Sequence, residues 1–238
     1  MILAAGRGTR LRPLTDATAK PLLEVGGKTL LEHVACRLVD AGADRLIVNV
    51  HHHAEQIERH LEGLELGVEV RVSREPERAL ETGGGVLHAA PLFRRDEPFL
   101  LHNADVISDI DLRGLVAAQR DGDALATLAV HERETSRFLL FDRAGLFGWE
   151  NVSSGRSERV RDPNGEVRRF AFAGIHAIAP RFLDLLEERG AFSIVAPYLR
   201  LSAAGHRISP HEVTGARWFE IGTPERLEAA RRAHATGS

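Results

Sequence analysis

The sequence has little cysteine, no excess of positive charge and no long apolar run. Cys36 is the only cysteine among 238 residues, which excludes an intrachain disulfide and favours a reducing compartment, so we expect a cytoplasmic protein. The 31 basic residues are outnumbered by 34 acidic ones, which argues against a surface for nucleic acid. No apolar run approaches the roughly 18 residues of a membrane span, and the first residues lack the basic segment of a signal peptide. We therefore expect neither nucleic acid nor a membrane as a partner.

Strand-like and helix-like segments alternate through the first half of the chain. Apolar runs predict strands, and apolar residues at helical spacing predict helices. The predicted strands are residues 1–4, 46–50, 68–72 and 99–101, and the predicted helices are residues 30–39, 57–64 and 83–92. This alternation predicts an α/β fold, Rossmann-like, with a mainly parallel sheet flanked by helices. Such sheets bind ligands at the carboxyl ends of their strands, so the loops after Ala4 and Leu101 should open on one edge.

The pattern changes after about residue 122. The later predicted strands are residues 125–130, 137–142, 146–149 and 167–178, and the later predicted helices are residues 182–186, 194–201 and those from Thr223 onward. Thr223 and Pro224 are typical of a helix N-terminus, because threonine caps the helix and proline tolerates its first position. We predict one domain over residues 1–238, whose second half, residues 123–238, binds a substrate.

A glycine-rich loop follows the first predicted strand. Gly6 and Gly8 form a Gly-x-Gly turn whose backbone N–H groups can face a phosphate, and Arg10 adds a side chain that can bind one bidentately. The dinucleotide fingerprint is excluded because Leu11 stands where its third glycine belongs, and a Walker A motif is excluded because Leu22 stands in place of its first glycine. A purely structural turn stays open at this point.

The longer segment around this loop resembles the signature of the sugar-1-phosphate nucleotidyltransferase family. Residues 3–15 read LAAGRGTRLRPLT, similar to the pattern L-A-A-G-x-G-T-R-x-x-P-L-T, and Lys20-Pro21-Leu22 is similar to its K-P-[LM] continuation. The resemblance implies transfer of a nucleoside monophosphate from an NTP to a sugar 1-phosphate, on a nucleotide-diphospho-sugar transferase fold. It makes residues 1–122 the nucleotide-binding half and residues 123–238 the sugar-binding half. It implies that Gly6, Arg7, Gly8 and Thr9 surround the triphosphate and that Leu3, Ala4 and Ala5 also bind the nucleotide. It assigns catalysis to Arg10 and Lys20 on the reacting phosphates.

A second glycine cluster, Glu81-Thr82-Gly83-Gly84-Gly85, precedes the helical run that begins at Val86. Three consecutive glycines are costly inside a helix, so they need a reason. One reason is a flat backbone surface for a nucleobase, with Glu81 accepting hydrogen bonds; the alternative is a flexible linker. By resemblance, Glu81, Thr82, Gly83 and Gly84 bind the nucleotide. The E-T-G-G-G form resembles the branch of N-acetylmuramate-1-phosphate uridylyltransferases and of mannose- or heptose-1-phosphate guanylyltransferases, which favours UTP or GTP.

Two carboxylates are candidate ligands for Mg²⁺. Asp105 follows a buried strand and the nucleotide-binding candidate Asn103, and Mg²⁺ prefers one or two carboxylates together with substrate phosphates. Glu220 lies in Trp218-Phe219-Glu220-Ile221-Gly222-Thr223, which resembles the family pattern W-x-D-[IV]-G-T with glutamate in place of aspartate. Mg²⁺ is thus the expected cofactor.

The segments expected to bind the sugar match the family's patterns less fully than the glycine-rich loop does. Residues 172–175 resemble the family's F-x-G-[IV] strand, so Gly174 and also Glu150 are candidate sugar-binding residues. The family's E-K-P segment is absent, and Arg168 or Arg169 is the expected replacement for its lysine. Two rival functions stay open: a cytidylyltransferase for a phosphorylated alcohol such as phosphocholine, and a non-catalytic sensor of nucleotide sugars. The chain is expected to be a monomer or a homodimer.

Overall fold

The computed structural model describes residues 1–76 and 78–236, so residues 77, 237 and 238 of the predicted domain lie outside the described residues. Strands β1 to β14 run, in chain order, over Ile2–Leu3, Glu24–Val25, Lys28–Thr29, Arg45–Val50, Glu69–Arg74, Phe99–Asn103, Val106–Ser108, Ala126–His131, Arg137–Asp142, Gly145–Asn151, Arg156–Arg159, Arg168–Ile178, Ile208–Glu212 and Trp218–Glu220. Helices α1 to α7 run over Leu14–Ala17, Leu30–Asp40, Ala54–Glu62, Glu81–His88, Leu112–Asp121, Val195–Ala203 and Pro224–Thr236. Short 3₁₀ segments cover Thr9–Leu11, Lys20–Leu22, Ala90–Leu92 and Pro180–Leu185.

The main sheet contains strands from both halves of the chain. Its order is β11-β10-β9-β12-β6-β1-β4-β5, with β8 pairing with β12 and β13 beside this path. Strand β1 lies between β4 and β6 and is parallel to both, and β4 is parallel to β5. Strand β12 is antiparallel to β6 and β9, and so links the parallel strands to the antiparallel ones. The predicted fold class is confirmed.

Helices cover both faces of this sheet. Thr29 and Glu32 form a capping box that starts α2 where the sequence predicts a helix. Its apolar side chains pack with those of α3 on one face, while α4 and α6 pack on the other. Among the described residues, no helix combines the length and the apolar character that crossing a bilayer requires.

Several boundaries differ from the prediction. The predicted helix at 83–92 starts earlier, at Glu81, and ends at His88, because Pro91 cannot continue its hydrogen bonding. The predicted helix at 182–186 is the 3₁₀ segment Pro180–Leu185. The sequence analysis did not predict α1, α5, β2, β3, β7, β11, β13 or β14, since α1 and most of these strands are short, β11 and β13 are polar, and α5 has few large apolar residues.

A small third core joins the glycine-rich loop to the end of the chain. Leu11 is fully buried against a cluster that includes Leu30, Ile221 and Leu227. Because Leu11 is buried, its neighbours Arg10 and Arg12 stay at the surface. Helix α7 thereby packs against the glycine-rich loop.

Two histidines are buried in the main core and should make the fold acid-sensitive. Burial lowers the pKa of His102 to about 4 and that of His176, which shares a hydrogen bond with the Tyr198 hydroxyl at 2.8 Å, to about 3. The unfolded chain therefore binds protons first as the pH falls below the ordinary value of 6.5. We expect the free energy of unfolding to drop by about 1 to 2 kcal/mol per histidine between pH 7 and pH 5. Urea unfolding across this range measures it.

Replacing His176 with glutamine should remove about half of this pH dependence, because the amide can still hydrogen-bond Tyr198 but does not titrate. Replacement of the exposed His88 by glutamine is the control and should leave the slope unchanged. If the free energy of unfolding changed equally with pH in wild type, His176→Gln and His88→Gln, then His176 would not be a source of the pH dependence.

Candidate active site

The carboxyl ends of β1 and β6 open into a cleft of about 320 Å³. The cleft lies at the edge where the sequence predicts a ligand. Ten of the predicted site residues line it, namely Leu3, Ala4, Ala5, Gly6, Arg7, Lys20, Glu81, Thr82, Asn103 and Asp105. The loop, the second glycine cluster and the strand-end aspartate are therefore brought together, although they are far apart in sequence.

The two glycines of the loop have different environments. Gly8 has φ +64°, and a Cβ there would lie 2.9 Å from Thr15 Cγ2 and 3.1 Å from Lys20 Cβ. The Thr15 hydroxyl also donates to the Gly8 carbonyl at 2.9 Å, so Gly8 is required by the protein's own packing. Gly6 lines the cleft, and a Cβ there would meet no protein atom within 4 Å. Packing within the protein therefore does not require glycine at position 6, which leaves its side open for a ligand in the cleft.

This contrast predicts two different defects. Gly8→Ala should destabilise the fold by about 1 to 2 kcal/mol, because alanine is strained at positive φ and crowds Lys20. Gly6→Ala should leave stability within about 0.5 kcal/mol of wild type and raise the KM for the NTP about tenfold, since its methyl group occupies space for the triphosphate. Chemical denaturation and initial rates measure the two effects. Unchanged kinetics of a folded Gly6→Ala protein would exclude contact between this glycine and the nucleotide.

Lys20 and Asp105 form an ion pair at the floor of the cleft. The Nζ of Lys20 donates to Oδ2 of Asp105, and the two side chains are only 12% and 23% exposed. The short 3₁₀ segment that starts at Lys20 fixes its direction, because Leu23 N–H donates to the Lys20 carbonyl at 3.1 Å. The cation predicted for the reacting phosphates and the carboxylate predicted for a metal thus lie in direct contact.

Glu220 is placed beside Asp105 by the short ribbon of β7 and β14. Glu220 pairs with Val106 in this ribbon, and the Ile221 N–H donates to the Asp105 carbonyl at 2.8 Å. The Glu220 carboxylate lies 3.7 Å from Arg10 Nη2 and forms a closer ion pair with Arg226. Arg10 is therefore at the same rim as both carboxylates, although Arg10, Gly8, Thr9 and Glu220 do not line the cleft itself.

The donor set fits Mg²⁺ shared with a substrate. Asp105 supplies one carboxylate from the turn after β6, and Glu220 supplies another from β14, opposite Val106. Mg²⁺ commonly takes one or two carboxylates and completes its shell with phosphate oxygens and water. Within residues 1–76 and 78–236, no group of three or more acidic, histidine or cysteine side chains is placed to hold a metal alone. A metal at this rim would thus depend on the oxygens of a substrate.

The second glycine cluster is used mainly for packing. Gly83 and Gly84 are buried in α4 rather than facing the cleft, and Cβ atoms there would lie 2.3 Å from the Phe192 ring and 2.5 Å from the Gly190 carbonyl. Both glycine N–H groups donate to the Phe192 carbonyl. Glu81 and Thr82 do line the cleft, and Glu81 has φ +58°, a strained conformation for a residue other than glycine. The cleft therefore uses the start of this segment, and the glycines let residues 190–192 pack against it.

A buried chain of hydrogen bonds, which the sequence analysis missed, connects the end of β1 with the residue before α4. Asn49 Oδ1 accepts from the Ala4 N–H at 2.8 Å, and its Nδ2 donates to Glu75 Oε1 at 2.5 Å. The other Glu75 oxygen accepts from the Leu80 N–H at 2.8 Å. Burial raises the pKa of Glu75. The only sequence signal was that Asn49 interrupts an otherwise apolar strand.

Gly174 and Asn103 meet at a bulge in β12. The pairing of β12 with β8 shifts register between Phe172 and His176, Gly174 has φ +77°, and a Cβ on it would lie 2.6 Å from Asn103 Nδ2. The glycine therefore admits the Asn103 amide. Glu150 does not line the cleft and pairs with Arg169 at 2.9 Å.

Comparison with known proteins completes this description. The family described as Nucleotidyl transferase matches residues 1–236. The chain is 38% identical over 237 residues to an N-acetylmuramate alpha-1-phosphate uridylyltransferase of Neisseria meningitidis serogroup B, covering 97% of this chain and 96% of that protein. It is 34% identical over 230 residues to a mannose-1-phosphate guanylyltransferase catalytic subunit beta of Drosophila pseudoobscura pseudoobscura, covering 94% of this chain and 59% of that protein. The solved structure of an inositol-1-phosphate CTP transferase from T. maritima superposes with a TM-score of 0.78 at 17% identity, covering 98% and 93% of the two chains.

Proposed function

The chain belongs to the nucleotidyl transferase family, and we propose that within it the protein transfers a uridylyl group from UTP to N-acetylmuramate 1-phosphate. Its relatives transfer nucleoside monophosphates to sugar 1-phosphates, and this chain is such a nucleotidyltransferase. The choice of UTP and of this sugar rests on the 38% identity that extends over 96% of the Neisseria protein. A cytoplasmic location belongs to the same proposal.

The observation that carries the proposal is the joining of Gly6, Lys20 and Asp105 in one cleft. An oxygen of the acceptor's phosphate forms the new bond to the α-phosphorus of UTP, while the bond from that phosphorus to pyrophosphate breaks. The acceptor phosphate is largely ionised near neutral pH, so no protein base has to remove a proton. Lys20 and Arg10 would hold the phosphates in line and offset their negative charge. Residues 1–122 would thus bind the nucleotide, and residues 123–238 the sugar.

Mg²⁺ is the proposed cofactor, held by Asp105 and Glu220. When bound, the ion neutralises part of the triphosphate charge. Lys20 would hold the Asp105 carboxylate in the cleft, and Arg226 would hold the Glu220 carboxylate at the rim. The oligomeric state, monomer or homodimer, plays no part in this proposal.

Pyrophosphate release by the purified protein tests the proposal. UTP, GTP, CTP and dTTP are each combined with N-acetylmuramate 1-phosphate, mannose 1-phosphate and phosphocholine in the presence of Mg²⁺. We expect the fastest release with UTP and N-acetylmuramate 1-phosphate, and mass spectrometry should identify the UDP-sugar.

Each rival function has its own result in this assay. GTP with mannose 1-phosphate as the fastest pair would favour a guanylyltransferase, in keeping with the similarity to the Drosophila protein. CTP with phosphocholine as the fastest pair would favour the cytidylyltransferase. Nucleotide-sugar binding without pyrophosphate release from any pair would contradict the proposal and favour a sensor.

A further inference from the structure

Arg168 and Arg169, the arginines expected to bind the acceptor's phosphate, are already neutralised by carboxylates. Arg168 forms two hydrogen bonds with Glu212, at 2.6 and 2.7 Å, and a longer one with Glu132. Arg169 pairs with Glu150 at 2.9 Å. Recruiting either arginine to a phosphate would mean breaking one of these ion pairs, whereas a cation without a carboxylate partner can bind a phosphate directly.

Arg133 is a cation without such a partner. It follows β8, and its guanidinium lies 4.2 Å from the centre of the Trp218 ring. Its only hydrogen bonds among the described residues are long ones, 3.4 Å to the carbonyls of Phe172 and Glu134, and its buried Nε has no partner. No carboxylate of the described residues lies within 4 Å of this partly buried guanidinium, so its charge is not neutralised by a direct ion pair.

Arg133 lies next to the strand that carries Gly174. Trp218, which supports it, donates from Nε1 to the Ala173 carbonyl at 2.9 Å, next to Gly174. Trp218 and Glu220 lie two residues apart on β14 and so face the same side. Arg133 is thus held between the strand predicted to meet the sugar and the rim that carries Glu220.

The charges at this rim are unbalanced. Arg10 and Arg226 both lie against Glu220, and Arg133 is close enough to interact electrostatically with Glu220 and Arg226. Two guanidinium groups therefore contact the Glu220 carboxylate, and that of Arg133 lies farther from it. This excess of positive charge suits a phosphate dianion, which arginine can bind through two parallel hydrogen bonds.

We infer that Arg133, supported by Trp218, binds the phosphate of the acceptor sugar 1-phosphate in place of the lysine that this chain lacks. The inference rests on the proposed function for the identity of the acceptor. Arg133 sets acceptor affinity and leaves nucleotide binding to the cleft at β1.

Steady-state kinetics separate the two substrates. We expect Arg133→Met, which keeps the stacking on Trp218 but removes the charge, to raise the KM for N-acetylmuramate 1-phosphate on the order of 10- to 100-fold. The KM for UTP should change less than about threefold. Arg133→Lys should recover part of the loss. Arg207→Met, which removes an exposed arginine, is the matched control and should behave as wild type.

Tryptophan fluorescence gives a readout that does not need turnover. The sequence has two tryptophans, so Trp218 alone reports in a Trp149→Phe background. Titration with N-acetylmuramate 1-phosphate or inorganic phosphate should change the fluorescence of Trp218, and Arg133→Met should abolish the change. Circular dichroism verifies that each variant is folded.

These experiments give different results depending on whether the Arg133 site or the proposed function is wrong. Normal acceptor KM and normal titration in a folded Arg133→Met protein, or a raised acceptor KM in Arg168→Met instead, would overturn the assignment of Arg133. A wild-type protein whose fluorescence responds to phosphate but which releases no pyrophosphate would retain the Arg133 site and refute the proposed function. Absence of both responses would refute both.

Discussion

Lys20→Met is expected to lower kcat on the order of 10³-fold. The Lys20 ammonium is almost buried in the cleft, and its ion pair with Asp105 fixes its position. It is therefore preorganised to contact the α- and β-phosphates of the NTP, between which the bond breaks. Methionine fills a similar volume without the charge. Pyrophosphate release at saturating substrates measures the loss. Arginine at this position should restore little, because its planar head cannot occupy the place of a compact ammonium.

Lys28 provides the control for this prediction. It is the only other lysine of the sequence, and its side chain is exposed on β3. Lys28→Met should keep wild-type kinetics. If a folded Lys20→Met protein turned over within about threefold of wild type, Lys20 would not contact the reacting phosphates.

Asp105→Asn should produce a comparable loss in kcat, again on the order of 10³-fold, with a changed dependence on Mg²⁺. The amide is isosteric but carries no negative charge, so it is a poorer ligand for the ion and no longer neutralises Lys20. NTP binding should therefore survive or strengthen while turnover falls. Rates at increasing Mg²⁺ and equilibrium dialysis of the NTP separate these effects.

Asp109→Asn is the matched variant for this experiment. Asp109 also follows the central strands, but its carboxylate pairs with Arg217 at 2.8 Å outside the cleft. Its replacement should leave both kcat and the Mg²⁺ dependence unchanged. Near-normal turnover of folded Asp105→Asn would remove Asp105 from the proposed metal site.

The parts of the site that lie next to one strand end could be predicted from the sequence. Gly6 follows β1 and Asp105 follows β6, and neighbouring parallel strands bring their carboxyl ends to one edge. The local sequence pattern and the order of the parallel strands are enough to place these two residues together.

The remaining parts depend on contacts between distant segments that have no local signature. Glu220 reaches Asp105 only because two strands of three residues each, β7 and β14, pair across the chain. Gly83 looked suited to a nucleobase, yet its need for glycine comes from Phe192. Arg133 stands in a mixed-charge segment that resembles a solvated turn, and only its position over Trp218 distinguishes it.

The small core that joins Leu11 to Ile221 and Leu227 affects when the protein can become active during its synthesis. The ribosome makes the glycine-rich loop first and helix α7 last. Until α7 has emerged, Leu11 can pack only on the early members of this core, such as Leu30, and Glu220 lacks its ion pair with Arg226. A chain that ends before residue 221 would therefore contain every residue that lines the cleft, but not the apolar and charged partners that hold Leu11 and Glu220 in place.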